Sequence, residues 1–169
     1  GIQGNTSAEI KCAALADVMG FERAFASLGR ALLLSKERKP SDDAYLNALH
    51  QLEYFDQFYE DRRQLSTLPD DVYMDGYFTK SAIEWIDHHQ KKHDQPFFLW
   101  LNLSLPHGPL DVAQPYHAPY ATKQFQRVIP AGDVSDLPSE LVASKYKQSK
   151  SVLDNQRQFA ACVAFIDML

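Results

Sequence analysis

Apolar positions recur at helical spacing in three stretches of this chain. The first pattern predicts a helix from Ala44 towards Tyr59, with Ser41-Asp42-Asp43 as its N-terminal cap. The second predicts a helix from Tyr77 to His93 that Thr79 could cap, with an apolar face of Ala82, Ile83, Trp85 and Ile86. The third, from Ser151 to Leu169, predicts an amphipathic helix. The apolar face of the first helix is expected to comprise Leu46, Leu49, Leu52, Phe55 and Tyr59, and that of the third Phe159, Val163 and Ile166, flanked by Cys162 and Leu169.

A different pattern follows Pro96. The run from Phe97 to Leu103 is apolar almost without interruption and is short, which is typical of a strand buried on both faces of a parallel sheet. A helix that leads into such a strand is half of an α/β repeat. The predicted fold class is therefore α/β, one incomplete domain with helices packed on a small, mainly parallel sheet.

Pro106-His107-Gly108-Pro109 ends the predicted strand, since a proline cannot donate to a sheet ladder. His107 is thus expected at the carboxyl end of the strand, the edge at which open α/β sheets bind ligands. An imidazole there can bind an anionic ester and give a proton to a departing alkoxide. The alternative is a loop histidine that bonds a nearby carbonyl group.

A proline-rich loop is predicted from Leu110 to Pro138. His117 lies in it, between Tyr116 and Ala118. His117 could line the same cleft as His107 and contact substrate, but a histidine packed within the loop is the favoured interpretation.

Composition and charge exclude some functions. The 169 residues are 45% hydrophobic and carry a net charge of −5 with acidic and basic groups interleaved, so no basic stripe for nucleic acid exists. No apolar run is long enough to span a bilayer. Cys12 and Cys162 lack metal-type spacing and are expected to be packed thiols.

One histidine cluster offers a competing site. His89 and His93 are four residues apart on the second predicted helix, with His88, Asp87 and Asp94 beside them. Two histidines at that spacing can bind zinc, but no glutamate lies between them to act as a base. A solvated helix end is the favoured interpretation, and no metal site is predicted.

Three segments in order resemble the sulfatase family of the alkaline phosphatase superfamily. They are YMDGYFTKSAIEWI from Tyr73, QPFFLWLNLSLPHGPLDVAQPYHAPY from Gln95 and RQFAACVAFIDML from Arg157. The family shows a T-x-x-A-I-x-F-I helix, a P-F-F-L strand that ends in P-H-x-P, a proline-rich loop and a Y-x-A-x-V-x-x-x-D helix. The similarity is clearest over 70–169, and 1–69 are only weakly assigned. We therefore expect residues 1–169 to be an internal part of a sulfatase domain.

The resemblance implies an arylsulfatase-like hydrolase of sulfate monoesters. In the family, a formylglycine made from C/S-x-P-x-R is the nucleophile, a divalent cation, usually calcium, assists, and the histidine of P-H-x-P contacts the sulfate. That role carries over to His107. The nucleophile motif and the D-N-G segment are absent here, and no residue present is expected to ligate the cation, so this stretch should be inactive alone. The implied substrate is a small-molecule or glycan sulfate ester, and the implied location is extracytoplasmic: periplasmic, secreted or lysosomal.

Two alternatives stay open at this point. A phosphoesterase or phosphonate hydrolase of the same superfamily would use the same histidine, because a histidine near an anion does not separate sulfur from phosphorus. A non-catalytic helical module would instead bind a partner through aromatic residues such as Tyr54, Phe55, Phe58 and Tyr59. The sequence predicts no oligomeric state.

Overall fold

The computed structural model describes residue 14 and residues 16–63, 65–125 and 152–169. Its α-helices are labelled α1 (Arg30–Ser35), α2 (Ala44–Gln51), α3 (Phe55–Glu60), α4 (Met74–Lys92), α5 (Gln114–His117) and α6 (Val152–Met168). Short 3-10 helices occupy Pro40–Asp42, Asp61–Arg63 and Ala118–Tyr120. Residues 16–19 form a further helical turn. None of these helices is long and apolar enough to cross a membrane, as far as the described ranges extend.

The first hydrophobic cluster joins α1, α2 and α3 to the start of α4. The ring of Tyr45 is fully buried there, packs edge-on against Phe58 at 5.9 Å between ring centroids and donates its hydroxyl hydrogen to the carbonyl of Val72 at 2.8 Å. The buried members are Leu33, Leu34, Tyr45, Leu46, Leu49, Phe58, Leu68, Val72 and Met74.

The predicted helix from Ala44 towards Tyr59 is two helices, so the single-helix prediction is wrong. The chain turns after α2 at Glu53, which has a φ of 65°. A continuous helix would separate Tyr45 from Phe58 by about 20 Å along its axis, because each residue rises 1.5 Å. The turn brings both rings into one core, and it leaves Leu52 exposed instead of buried.

The N-terminal cap of α2 is confirmed. Asp43 accepts hydrogen bonds from the backbone N–H groups of Tyr45 at 2.9 Å and Leu46 at 3.4 Å. Its carboxylate also accepts from the hydroxyl of Ser27 at 2.7 Å and the backbone N–H of Leu28 at 2.8 Å. One buried side chain therefore both begins α2 and fastens the segment that precedes α1.

Helix α4 begins at Met74, before the predicted start, and the proposed cap at Thr79 is wrong. Tyr73 is the N-cap residue, and Asp75 lies in the first turn, where the helix dipole favours a carboxylate. Gly76 passes so close to the loop before it that an added Cβ would overlap the carbonyl oxygen of Asp70. This close approach needs a glycine, and it fixes the start of α4 against residues 69–72.

Helix α6 confirms the predicted C-terminal helix, but its buried face is shifted. Phe159 and Val163 are exposed, whereas Ala161, Cys162 and Phe165 are buried. They pack on the ring of Tyr73, whose centroid lies 5.3 Å from that of Phe165. This second hydrophobic cluster comprises Tyr73, Leu105, Val112, Ala161, Cys162 and Phe165.

The structure does not confirm the predicted sheet. Residues 97–103 carry no regular secondary structure, and no strand occurs in the ranges that the structure describes. A strand exists only through hydrogen bonds to a neighbour, and no described segment pairs with this one. Its apolar side chains are therefore largely open to solvent, with Phe98 73% and Trp100 63% exposed.

Candidate active site around His107

His107 lies in a tight turn, which we call the His107 turn and define as residues 104–109. The backbone N–H of His107 donates to the carbonyl of Ser104 at 3.0 Å, and its side chain is exposed. The ring nitrogen Nδ1 lies 2.9 Å from the carbonyl oxygen of Gly108. Because a carbonyl oxygen can only accept, this bond requires the hydrogen on Nδ1. The nitrogen that remains for a ligand is Nε2.

Asp75 fastens the beginning of the His107 turn. Its carboxylate, 1% exposed, accepts the backbone N–H of Ser104. Burial raises the pKa of Asp75 above its ordinary value, and hydrogen bonds from the backbone of Ser104 and Leu105 offset only part of that rise. The first turn of α4 thus carries a carboxylate that holds the loop leading to His107.

Asp111 fastens the chain just after the turn. Arg30 Nε lies 3.1 and 2.8 Å from its two carboxylate oxygens, and the hydroxyl of Tyr73 donates to it at 2.9 Å. The backbone carbonyl of Asp111 also accepts from the N–H of Ser66 at 2.7 Å. We call Arg30, Tyr73 and Asp111 the buried triad, since all three are largely removed from solvent.

Arg30 packs against two aromatic rings in addition to its ion pair with Asp111. Its guanidinium carbon lies 4.9 Å from the ring centroid of Phe58 and 4.8 Å from that of Tyr73. Burial is the largest influence on the pKa of Arg30 and lowers it, but Asp111, Tyr73 and Tyr45 together outweigh burial, so that the pKa lies above its ordinary value. Nη1 and Nη2 are buried and find no hydrogen-bond partner among the described residues.

The buried triad was not predicted from the sequence. Arg30 and Asp111 are 81 positions apart, and nothing in the spacing of charges joins them. The available signal was modest: Asp111 and Asp75 are both acidic residues inside the segments that resemble the sulfatase family. An acidic residue in an otherwise apolar stretch is buried only when it is paired or hydrogen-bonded, which both of these are.

His117 is the last residue of α5 and is half-buried. Its neighbour Tyr116 donates its hydroxyl hydrogen to Asp70 at 2.6 Å and packs against Phe165 at 5.0 Å, so α5 is attached to α6. The expectation that His107 and His117 share a cleft stays a prediction. A nearby depression of about 390 Å³ is lined by other side chains: Leu110, Phe125, Asn155, Gln156, Phe159 and Ala160.

The competing histidine cluster is occupied by ring packing. His89 lies against Trp85 at 5.0 Å, His93 at 4.9 Å and Phe97 at 5.1 Å between ring centroids. Its Nε2 lies 3.1 Å from the carbonyl oxygen of Gln95. Throughout the part of the chain that is described, no group of three or more histidine, cysteine, aspartate or glutamate side chains could hold a metal ion.

Calcium, which the family resemblance implies, does not fit the residues described. Asp75 and Asp111, the buried carboxylates beside the His107 turn, already accept hydrogen bonds from the backbone, Arg30 or Tyr73. Among the described residues, neither belongs to a group of three or more histidine, cysteine, aspartate or glutamate side chains that could hold a cation. No chemical step is therefore derived through a cation on these residues.

Comparison with known proteins agrees with the order of the motifs. A protein family model described as Sulfatase matches residues 13–168. No curated protein and no solved structure matches the chain.

Proposed function

Because the chain belongs to the sulfatase family of hydrolases, we propose that it takes part in cleaving sulfate monoesters and that His107 contacts the sulfate. The observation that carries the proposal is the P-H-x-P turn within the matched region, with an exposed His107 whose Nδ1 is already bonded to a carbonyl. A turn built in this way leaves Nε2 for an anion.

The proposed chemistry of His107 follows from that arrangement. In the imidazolium form, both ring nitrogens carry hydrogen, so Nδ1 keeps its bond to Gly108 while Nε2 donates to an ester oxygen. As a nucleophile from another segment forms its bond to sulfur, the S–O bond to the leaving group breaks, and transfer of the Nε2 proton neutralises the departing alkoxide. A positioned general acid contributes about 10² to 10⁴ in rate.

We propose further that the formylglycine nucleophile and the calcium ligands come from other segments and that residues 1–169 alone are inactive. The chain contains no C/S-x-P-x-R motif. The proposed substrate is a small-molecule or glycan sulfate ester, with His117 as a second contact. An extracytoplasmic location and a sheet that includes 97–103 are likewise proposals drawn from the family.

The proposal is tested on the protein encoded by the complete reading frame around these residues. We expect it to hydrolyse an aryl sulfate faster than the matching aryl phosphate. His107→Ala should lower kcat/KM for the sulfate by about 10² or more, because the leaving group would depart unprotonated.

His88→Ala is the matched control, since His88 is exposed on α4. It should keep the activity of the parent protein. Preference for the phosphate ester would instead favour a phosphoesterase of the same superfamily. No hydrolysis of either ester, or an unimpaired His107→Ala variant, would refute the proposed role.

A second candidate is a binding module, but not through the aromatic residues that the sequence suggested, since Phe58 is buried in the core and Tyr54, Phe55 and Tyr59 pack against it. Five consecutive large apolar residues, 97–101, are each at least 39% exposed, and such a patch is a common feature of interaction surfaces. A monodisperse chain that keeps this patch open and lacks hydrolase activity in its complete form would support the binding module over the enzyme.

A further inference from the structure

The two sides of the His107 turn are held by one short piece of the chain. Asp75, in the first turn of α4, accepts from the backbone of Ser104, three residues before His107. Tyr73, the N-cap of the same helix, donates to Asp111, four residues after His107. Residues at the start of α4 therefore form hydrogen bonds to the chain on both sides of His107.

From this juxtaposition we infer that Asp75 and Asp111 are positioning residues for His107, with Arg30 and Tyr73 acting through Asp111. This inference rests on the proposed function, because orienting His107 matters for the chemistry proposed for it. The test, however, measures only the geometry of the turn. The His107 side chain is exposed, so packing does not orient it. Its orientation depends on the backbone of the turn, and that backbone is fixed by these two carboxylates.

The chemistry of the buried triad supports positioning over simple stability. A buried ion pair contributes little net stability compared with apolar residues of similar volume, because desolvation offsets the attraction. Arg30 instead fixes the position of the Asp111 carboxylate, because its Nε–H hydrogen bonds to both carboxylate oxygens. The guanidinium, packed against the rings of Phe58 and Tyr73, cannot follow a displaced partner.

The decisive variant replaces the whole triad, Arg30→Met, Tyr73→Phe and Asp111→Leu, in the 169-residue chain. The variant removes Arg30 and Asp111 together, and Asp75, which loses the attraction of Arg30, keeps its hydrogen bonds from the backbone of Ser104 and Leu105, so the fold should survive. Nitrogen-15 NMR of the His107 ring and hydrogen exchange of the His107 amide are the readouts. The amide, which donates to Ser104 in the parent chain, should exchange at least tenfold faster, and the Nδ1–H signature of the bond to Gly108 should be lost.

Asp75→Asn tests the other end of the turn. An asparagine retains one carbonyl oxygen for the N–H of Ser104 but loses the charge that strengthens the bond. It should accelerate exchange of the Ser104 amide by a smaller factor than Asp75→Ala. A side chain that only fills space would leave the Asp75→Asn chain like the parent, because asparagine and aspartate have nearly the same volume. An orienting hydrogen bond strengthened by charge predicts faster exchange of the Ser104 amide in both variants.

Asp71→Asn is the matched control. Asp71 is an exposed aspartate near the start of α4 whose carboxylate pairs with Lys80 at 2.7 Å on the surface. It should leave the ring signals and amide exchange of His107 unchanged. If the triad variant is folded and its His107 ring and amide match those of the parent chain, the positioning role is overturned.

The outcome is separable from that of the enzyme proposal. Absence of sulfate hydrolysis by the complete protein counts against the proposed function and leaves the NMR result intact. Loss of the fold in the triad variant would itself overturn the inference, because it would make the triad a requirement for folding instead of for orientation.

Discussion

Burial of the Asp75 carboxylate removes it from solvating water, yet the same side chain holds the His107 turn. It is almost completely buried at the start of α4, where water cannot solvate its charge, yet it receives backbone hydrogen bonds and the favourable end of the helix dipole. Desolvation remains the largest influence and raises the pKa of Asp75. A single side chain thereby couples the stability of the fold to the geometry of the His107 turn.

This coupling predicts a pH dependence of stability. Because the pKa of Asp75 is higher in the folded than in the unfolded chain, its contribution is fully present below the unfolded value of about 3.9 and is lost as the pH rises through the folded value. A tenfold difference in proton affinity between the folded and unfolded chains corresponds to about 1.4 kcal/mol. Urea unfolding of the parent and Asp75→Asn chains at several pH values should show the parent weakening relative to the variant above pH ~4. A pH-independent difference between the two would contradict the assignment.

At the scale of elements, the sequence predicted the cap of α2 but not the cap of α4, and it missed the features that depend on tertiary packing. Asp43 was predictable as a cap, because a short acidic side chain before an apolar helical pattern satisfies free N–H groups. The break at Glu53 and the start at Met74 were not, since each depends on what the element packs against. The shifted face of α6 has the same origin: Phe159 and Val163 fit the helical period, but the cluster around Tyr73 accepts Cys162 and Phe165.

Loss of the Asp43 cap should destabilise the chain. Asp43→Ala removes hydrogen bonds to the start of α2 and to Ser27 and Leu28, so the free energy of unfolding should fall by about 1 to 2 kcal/mol. Asp56→Ala, an exposed aspartate in the first turn of α3, is the comparison and should cost less than about 0.5 kcal/mol. Equal losses in thermal or urea unfolding would show that the cap does not stabilise α2.

At the scale of the whole molecule, two hydrophobic clusters account for the described core, and the segment 97–101 belongs to neither. A run read from sequence as a buried strand thus lies in the open. Its composition predicted burial, and the structure does not confirm that prediction, because a strand needs partners that the described residues do not provide. Family membership was accessible from the sequence because the order of the motifs carries it, whereas the buried triad joins residues as far as 81 positions apart.

The exposed segment predicts self-association of the isolated chain. Phe98→Ser with Trp100→Ser should lower light scattering and dye binding to apolar surface, because it removes the most exposed rings of the patch. Leu32→Ser with Leu52→Ser, two scattered exposed leucines, is the control and should change little. A parent chain that stays monomeric and binds no more dye than the Phe98→Ser, Trp100→Ser variant would contradict this prediction.

Because α6 packs on Val112 and Tyr73, the second hydrophobic cluster can form completely only after α6 has been synthesised. Val112 leaves the ribosome well before Phe165, and at 5 to 20 residues per second the interval is about 3 to 10 seconds. During that delay, Leu105 and Val112 lack the apolar surface that covers them in the finished fold. The apolar packing on either side of His107 is therefore completed late, and a chaperone that shields Leu105 and Val112 in the nascent chain would act in that interval.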